Sequence, residues 1–361
     1  MKHIVCFHLF NDYSGSPKVL KSVLNGLLKR GAAVDLVTSG RGGVLDELDG
    51  MPGLRRRSYR YRFSDNAAVT MLRYSMIQIY TFFVALGYAF RKDTVFYINT
   101  LLPVGPALAG RLCGKRVVYH YHENADVKGA FYKALAWLMQ RLATEIVCVS
   151  EYQRSFLKRS DRVTVIPNAL PADFVARLNP DVEAAFARKT VLLLGSLKRY
   201  KGTMEFFALA GRLQQYSFVL VLNETRDNID AFIRDNGLSV PENLRIYPRQ
   251  EDVISFYNSA SLVLNLTNKE MAIETFGLTA LEAMSAGLPV IVPTVGGIAE
   301  MVEDGYNGYK ADVQDLDKIE KYIDNILTDR ELYCSLAENA LAFSSRFSEP
   351  EMIGRMEKII C

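Results

Sequence analysis

Short apolar runs alternate with stretches of helical periodicity along most of the chain. The first run, residues 4–10, is continuously apolar, which is typical of a parallel strand buried on both faces. Residues 18–30 then carry apolar side chains at helical spacing. The same alternation predicts further strands at residues 32–38, 95–99, 116–120, 145–149 and 163–166. This order of elements predicts a doubly wound α/β domain.

The pattern begins again at Thr190, after a predicted boundary between residues 167 and 181. The predicted strands of this second half are residues 191–194, 218–222, 244–247, 262–266 and 290–292. We therefore expect two α/β domains, residues 1–170 and 171–345, facing across a cleft. Open α/β sheets bind ligands beyond the carboxyl ends of their strands, so the loops there are the expected place for chemistry.

Composition indicates a cellular compartment and shows that charge is distributed unevenly along the chain. The chain has 361 residues, 49% of them hydrophobic, which is enough for two cores. Five scattered cysteines without Cys-x-x-Cys spacing fit a reducing cytoplasm and argue against zinc, and the apolar start is too short for a signal peptide. Lys and Arg exceed Asp and Glu by 12 in residues 1–168, whereas Asp and Glu exceed Lys and Arg by 9 in the remainder. The first half is therefore expected to meet an anionic partner.

The segment with the most specific chemistry is residues 274–292. Glu274 precedes a predicted helix start at residues 276–278, Glu282 lies on the same helix, and Gly287 ends it before a buried strand. Backbone N–H groups at a helix start carry partial positive charge and bind phosphate. We expect one nucleotide sugar to contact Glu274 through its sugar, the helix start through its diphosphate and Glu282 through its ribose.

Three other polar loops follow predicted strands. The first contains Gly15 but lacks the G-x-G-x-x-G pattern of dinucleotide sites. The second begins at the end of a strand with His120 and His122, which point the same way because strand faces alternate. The third carries Lys198 and Lys201, cations suited to phosphate oxygens.

The segment from Glu274 to Glu282 resembles the E-x7-E signature of glycosyltransferase family 4, whose members are retaining enzymes of the GT-B fold. Lys201-Gly202 is similar to the lysine-glycine that follows a strand in this family. His122-Glu123 resembles the family's strand-end His-Asp/Glu motif, with His120 as the alternative histidine. The resemblance implies two Rossmann-like domains, with residues 346–361 crossing back to the first.

The function that this resemblance implies is transfer of a sugar from a nucleoside diphosphate donor to an acceptor hydroxyl with retention, without a metal or another cofactor. The implied partners are a nucleotide sugar and a glycan or lipid-linked acceptor of polysaccharide or glycolipid assembly. The implied place is the cytoplasm, including the inner face of the membrane. The implied catalytic residues are His122, Glu274 and Lys201. The implied donor-binding residues are Gly15, Ser196, Lys198, Lys201, Phe276, Gly277, Leu278 and Glu282.

One departure from the family pattern concerns the diphosphate. Ser196 stands where the family has an arginine. A cation is therefore missing from its usual position, and we expect Lys198 or Arg199 to replace it from the same loop.

Two other functions remain open at this stage. One is a nucleotide-sugar epimerase on the same fold. The other is a protein that binds nucleic acid or another anionic surface through the basic, tyrosine-containing run at residues 55–62. That second function leaves the glutamate motif unexplained, so we expect no nucleic-acid partner and favour docking of the first domain on an anionic membrane.

Two further features are expected to be structural. Asp315 and Asp317 form an Asp-x-Asp, the metal motif of the other large transferase fold, but they lie in the first turn of a predicted helix, where the helix dipole favours acidic residues. Residues 74–90 carry no charge and approach the length of a membrane span. A strand follows directly, so we expect a helix packed in the first domain.

Overall fold

The chain forms two compact α/β units in the computed structural model, which describes residues 3–158 and 160–361. The first unit comprises the chain up to Ala169 together with Glu349–Cys361, and the second unit is Leu170–Ser348. Each unit contains a parallel sheet with helices in the crossover connections. The doubly wound architecture expected from the alternation of elements is therefore confirmed.

The sheet of the first unit has seven strands. They are β1 (His3–Phe7), β2 (Ala33–Ser39), β3 (Leu54–Tyr59), β4 (Thr94–Asn99), β5 (Arg116–Tyr121), β6 (Glu145–Cys148) and β7 (Val163–Val165). Their order across the sheet is β3-β2-β1-β4-β5-β6-β7, and every neighbouring pair is parallel. Strand order reverses between β1 and β4, and open α/β sheets bind ligands beyond the carboxyl ends of strands at such a point.

Six α-helices belong to the described part of the first unit. They are α1 (Gly15–Lys29), α2 (Ala67–Leu86), α3 (Val104–Leu112), α4 (Ala130–Leu142), α5 (Glu151–Ser155) and, at the end of the chain, α15 (Glu349–Ile360). Helix α2 packs on α3, and α3 packs on α4, whereas α1 packs on α15.

Helix α15 is tied to the first unit by close packing and by ion pairing. A Cβ atom on Gly26 of α1 would lie 2.4 Å from Cδ1 of Ile353, so only glycine lets the two helices approach this closely. Arg30 Nη1 pairs with Glu357 Oε2 at 2.5 Å, and the Arg116 guanidinium donates to the Ile359 carbonyl at 2.6 Å.

The second unit repeats the architecture with six strands. They are β8 (Thr190–Gly195), β9 (Ser217–Leu222), β10 (Leu244–Tyr247), β11 (Leu262–Leu264), β12 (Val290–Val292) and β13 (Gly308–Lys310). Their order is β10-β9-β8-β11-β12-β13, again parallel throughout. The helices are α6 (Ala172–Arg177), α7 (Val182–Arg188), α8 (Thr203–Arg212), α9 (Arg226–Asp235), α10 (Ile254–Ser259), α11 (Leu278–Ser285), α12 (Gly297–Glu300), α13 (Leu316–Thr328) and α14 (Arg330–Ser344).

Two strands and one helix face differ from the sequence-based expectation. The basic run at residues 55–62 contains most of edge strand β3, and β13 was not expected at all. Residues 74–90 do fall mostly in α2, but only part of that helix is packed: Leu72, Met76, Ile79 and Phe83 are exposed. Edge strands and short strands carry little periodicity, because one side of each is not constrained by a buried neighbour.

Candidate functional site

Lys201 and Glu274 form an ion pair in the second unit. Lys201 ends a short 3-10 turn after β8, and Glu274 lies in the loop between β11 and α11. Nζ of Lys201 donates to Oε1 of Glu274, which also accepts from Oγ1 of Thr267 at 3.1 Å. The side chains are 28% and 22% exposed, so the pair is partly buried and still reaches the surface.

The pair is ionised at neutral pH. Burial alone raises the pKa of Glu274, but the Lys201 charge and the hydrogen bonds from Lys201 and Thr267 outweigh it, and that pKa lies below its ordinary value. Burial alone lowers the pKa of Lys201, yet the Glu274 carboxylate raises it overall. An ammonium has three N–H donors, so Lys201 can keep Glu274 and also donate to an anionic ligand.

Two glycines with positive φ bring the chain close to this pair. Gly202 has φ +74°, and a Cβ there would lie 2.3 Å from Cβ and 2.4 Å from the carbonyl oxygen of Leu266. Gly296 has φ +107°, and a Cβ there would lie 2.5 Å from the carbonyl oxygen of Glu274. The loops that contain Gly202 and Gly296 therefore pack directly against the backbone of the loop that carries Glu274. No residue larger than glycine permits this close packing.

The N-terminus of helix α11 directly follows the loop that contains Glu274. Gly277 caps it at φ +95°, and its carbonyl accepts from Ala280 and Leu281. Among the residues that the structure describes, the backbone N–H groups of residues 276–278 have no hydrogen-bond acceptor. These N–H groups and the positive end of the helix dipole form an environment that favours a phosphate.

Glu282 lies on α11 four residues after Leu278, which is about 6 Å further along the axis. The buried hydroxyl of Tyr257, on α10, donates to Oε2 of Glu282 at 2.5 Å. Tyr257 is 0% exposed, and burial together with the Glu282 charge raises its pKa well above the ordinary value. The tyrosine therefore stays a donor and fixes the orientation of the carboxylate.

The loop after β8 contains the other expected phosphate contacts. Ser196 is partly exposed, and its carbonyl accepts from Oγ1 of Thr203 at 3.2 Å. Lys198 and Arg199 are exposed, and Nζ of Lys198 lies 6.0 Å from the ring centre of Tyr200, which also faces Lys201 at 5.6 Å. Both exposed cations remain candidates for the role of the missing arginine.

In the first unit, histidines and one asparagine meet at the carboxyl ends of β1, β4 and β5. His122 Nε2 donates to Oδ1 of Asn99 at 2.9 Å, and Nδ2 of Asn99 donates to Nδ1 of His8 at 3.1 Å. The ring of His120 lies 4.1 Å from that of His122, and its Nδ1 pairs with the Tyr97 hydroxyl at 2.8 Å. The predicted shared direction of the two strand-end histidines agrees with this contact.

Accessibility separates these histidines. His8 and His120 are 4% and 1% exposed, whereas His122 is only partly buried. Burial lowers the pKa of His8 to about 4 and that of His120 to about 3, and burial with the two neighbouring imidazoles lowers that of His122 well below its ordinary value. All three rings are neutral at pH 7, and His122 is the one that an outside group can reach.

Two neighbours complete this edge of the first sheet. Gly15 is exposed and begins α1, and the carbonyl of Ser16 accepts from Asn99 at 3.4 Å. Thr100, directly after Asn99, has φ +75°. A β-branched residue in the left-handed region is strained, and such strain concentrates at functional sites.

The Asp-x-Asp has structural contacts in the described chain. Oδ1 of Asp315 caps α13 by accepting from the Lys318 N–H at 3.1 Å, and Asp317 pairs with Arg212 at 2.7 Å. Among residues 3–158 and 160–361, no group of three or more His, Cys, Asp or Glu side chains is placed to hold a metal ion.

Several side chains of these clusters carried little or no recognisable signal in the sequence. Tyr257, Thr267, Asn99 and His8 were not expected to take part. Tyr257 reaches Glu282 from another helix, and His8 reaches Asn99 from the loop directly after β1. Asn99 had a weak signal, because it is the last residue of a predicted strand.

Two family models match the chain in succession. The model for glycosyltransferase family 4 matches residues 13–174, and the model described as glycosyl transferases group 1 matches residues 179–343. With two parallel α/β sheets in series, these matches define a glycosyltransferase of the GT-B fold. The chain belongs to glycosyltransferase family 4.

Individual relatives agree with this assignment. An uncharacterised glycosyltransferase of Methanocaldococcus jannaschii is 27% identical over 220 residues, which span 60% of this chain and 58% of that relative. The structure of Anabaena HepE in complex with UDP-glucose matches at 17% identity and TM-score 0.77, covering 99% of both chains. WaaG, a glycosyltransferase involved in lipopolysaccharide biosynthesis, matches at 17% identity and TM-score 0.71, also over 99% of both chains. At these identities the two structures show the shared fold alone.

Proposed function

We propose that the protein transfers a sugar from a nucleoside diphosphate donor to a hydroxyl group of an acceptor. The observation that carries the proposal is the grouping at one edge of the second sheet. There the Lys201–Glu274 ion pair, the N-terminus of α11 and the Tyr257-held carboxylate of Glu282 follow one another. A cation with N–H donors suits a diphosphate, and a fixed carboxylate suits the two hydroxyls of a ribose.

The proposed reaction retains the configuration of the sugar. The bond from the anomeric carbon to the phosphate oxygen breaks while the acceptor oxygen bonds to the same face of that carbon. The acceptor proton passes to the leaving phosphate, so the reaction requires no strong protein base. Negative charge grows on the leaving diphosphate, where Lys201 and the amides of α11 stabilise it.

Two roles rest on the family resemblance together with the local geometry. We assign Glu274 to the transferred sugar, because its carboxylate pairs with the Lys201 ammonium that we expect at the phosphate. We assign His122 to the same sugar, because it is the accessible histidine of its cluster. No metal or other cofactor takes part in this proposal.

The proposed acceptor is a glycan or a lipid-linked sugar of a cell-surface polysaccharide or glycolipid. The basic excess of residues 1–168 supports an anionic acceptor or surface. The similarity in fold to WaaG is in keeping with such a substrate.

Binding of nucleoside diphosphates to Glu282→Ala tests the donor site. Losing a hydrogen bond to a charged group costs roughly 1.5–3 kcal/mol, so we expect about ten- to a hundredfold weaker binding by calorimetry. Glu338→Ala, at an exposed position on α14, is the matched control and should bind like the wild type. Equal binding by wild type and Glu282→Ala would remove the ribose assignment.

A further inference from the structure

Helix α2 exposes its apolar side. Leu72, Met76, Ile79 and Phe83 are spaced by one helical turn each and form a single line, which we call the outer stripe. Between 60% and 64% of each of these residues is exposed. A surface helix ordinarily turns such a stripe toward the core, so this arrangement requires an explanation.

The opposite side of α2 is buried and contains much of the polar chemistry of the helix. This inner stripe consists of Tyr74, Gln78, Thr81 and Ala85. The Tyr74 hydroxyl donates to the Leu102 carbonyl at 2.8 Å, and Oε1 of Gln78 accepts from the Gly105 N–H at 2.9 Å. These contacts fix which side of the helix faces outward.

The length and composition of α2 would allow it to cross a membrane, but its packing does not. It is the one helix of the described residues that is long and apolar enough, and 28% of its most apolar window is buried. The inner stripe holds it against α3, where a Cβ on Gly105 would lie 2.1 Å from the Gln78 carbonyl oxygen. A helix packed in this way keeps its inner stripe against the unit, so its outer stripe is the side available to a bilayer.

Basic side chains flank the outer stripe along the chain: two precede α2, one lies on it and two follow it. This basic rim consists of Arg60, Arg62, Arg73, Arg91 and Lys92, all exposed. In the part of the chain that the structure describes, no carboxylate pairs with any of them, whereas Arg55 and Arg56 are held by carboxylates of the first unit. Two exposed aromatic residues stand among these cations: Phe63, 58% exposed, and Phe90, 100% exposed. Asp65 and Asp93 are the acidic residues beside the rim, and five cations outnumber them.

We infer that the outer stripe and the basic rim dock the first unit on the surface of an anionic phospholipid bilayer. The helix lies in the headgroup region with its apolar side toward the acyl chains, and the arginines and Lys92 meet lipid phosphates. Each basic residue near such a surface contributes about 1 kcal/mol, equivalent to about fivefold in affinity. Several cations with an apolar stripe therefore give reversible peripheral binding.

A second copy of the chain is a less suitable occupant. Symmetric pairing through this face would bring two identical basic rims together. Like charges at an interface oppose association, whereas anionic lipid complements them.

The test is co-sedimentation with vesicles of mixed phosphatidylglycerol and phosphatidylcholine, compared with vesicles of phosphatidylcholine alone. The wild type should bind the mixed vesicles at low salt, bind phosphatidylcholine at least tenfold more weakly, and dissociate as salt rises. The assay uses neither donor nor acceptor, so its result is separate from that for the proposed function.

Two variants and two matched controls locate the surface. Met76→Gln with Ile79→Gln should weaken binding at least tenfold, whereas Val240→Gln with Leu341→Gln, exposed apolar positions of the second unit, should not. Arg60→Gln with Arg62→Gln should weaken binding by roughly tenfold or more, and Arg245→Gln with Lys321→Gln should bind like the wild type. The fluorescence of Trp137, the single tryptophan and part of the first unit, checks that each variant is folded.

Three results would overturn the inference. The first is no binding of the wild type to anionic vesicles at low salt. The second is equal loss in the variants and their matched controls. The third is a dimer, seen by analytical ultracentrifugation, that separates in the Met76→Gln, Ile79→Gln variant, because a second copy would then cover the stripe.

Discussion

Glu274 and Lys201 belong to one ion pair, which changes how each residue is assigned. Sequence alone suggested a sugar ligand and a separate phosphate cation. In the structure, each holds the other in its ionised form and in place. A donor that binds here contacts a cation already oriented by Glu274, so less side-chain freedom is lost on binding.

Replacing Glu274 separates catalysis from binding. In Glu274→Gln, we expect kcat to fall by about a hundredfold or more, because a preorganised charge beside the reacting sugar is lost. Binding of the free nucleoside diphosphate should stay close to that of the wild type, because Lys201 and α11 remain. Steady-state kinetics with calorimetry measures both, and Glu270→Gln, exposed in the same loop, is the control. A parallel loss of binding and turnover would place Glu274 at the phosphate instead.

The two strand-end histidines should differ in their effects. His122→Ala should lower kcat by at least tenfold with nearly unchanged binding of the nucleoside diphosphate. The reason is that we assign His122 to the transferred sugar and not to the nucleoside diphosphate. His120→Ala, at a buried position, should mainly lower the free energy of unfolding. Full activity of His122→Ala beside an inactive, folded His120→Ala would assign the sugar contact to the other histidine.

At the scale of elements, the loops that meet at the ion pair depend on glycines for their approach. Gly202 and Gly305 share φ +74°, but only Gly202 lies against backbone, since the nearest atom to a Cβ on Gly305 is 3.9 Å away. Alanine at either position carries the left-handed strain of about 1–2 kcal/mol. Gly202→Ala adds overpacking of about 1–3 kcal/mol.

Gly202→Ala should therefore be less stable than Gly305→Ala in urea unfolding and should also bind nucleoside diphosphate more weakly, because Lys201 is displaced. The pair of variants cancels the backbone strain and leaves the contact with Leu266. Equal stabilities would show that the loop can move away without cost.

The predictable elements of this fold are strands that are buried on both faces and helices that have one fully buried stripe. The central strands read as continuous apolar runs, and α11 was marked by its glycines and glutamates. Strand β3 was not predictable, because an edge strand with three consecutive arginines has no apolar pattern. The exposure of the outer stripe of α2 was equally hidden, since periodicity gives a helix but does not say which side faces the unit.

Only those residues of the candidate site that belong to recognisable sequence motifs were predictable. Glu274, Glu282, Lys201 and His122 were named from their spacing and resemblance. Tyr257 and Asn99, which hold two of those groups, come from distant parts of the chain, and contacts between distant segments exist only once the sheets form.

At the scale of the whole molecule, the buried histidines make stability depend on pH. The folded pKa values of His8 and His120, about 4 and about 3, lie below the unfolded value, so the unfolded chain binds protons first as pH falls. Stability of the first unit is full above about pH 6.5 and declines below it, by at most about 1.4 kcal/mol per pH unit for each histidine.

Urea unfolding followed by Trp137 fluorescence measures this in the first unit alone, because the chain has one tryptophan. In His120→Phe, the decline in the free energy of unfolding between about pH 6.5 and pH 5 should be smaller by the contribution of one histidine. A pH dependence identical to that of the wild type would mean that His120 is protonated equally in both states.

Transfer of a labelled sugar is the decisive test of the proposed glycosyltransferase activity. The purified protein is incubated with a panel of nucleoside diphosphate sugars and with glycan and lipid extracts of its host, in EDTA, and products are read by mass spectrometry and by NMR of the new anomeric linkage. We expect that one donor releases its nucleoside diphosphate while an acceptor gains one sugar with the donor's anomeric configuration, and that EDTA does not stop turnover. Conversion of the donor into another nucleotide sugar with no labelled acceptor would contradict it and indicate an epimerase.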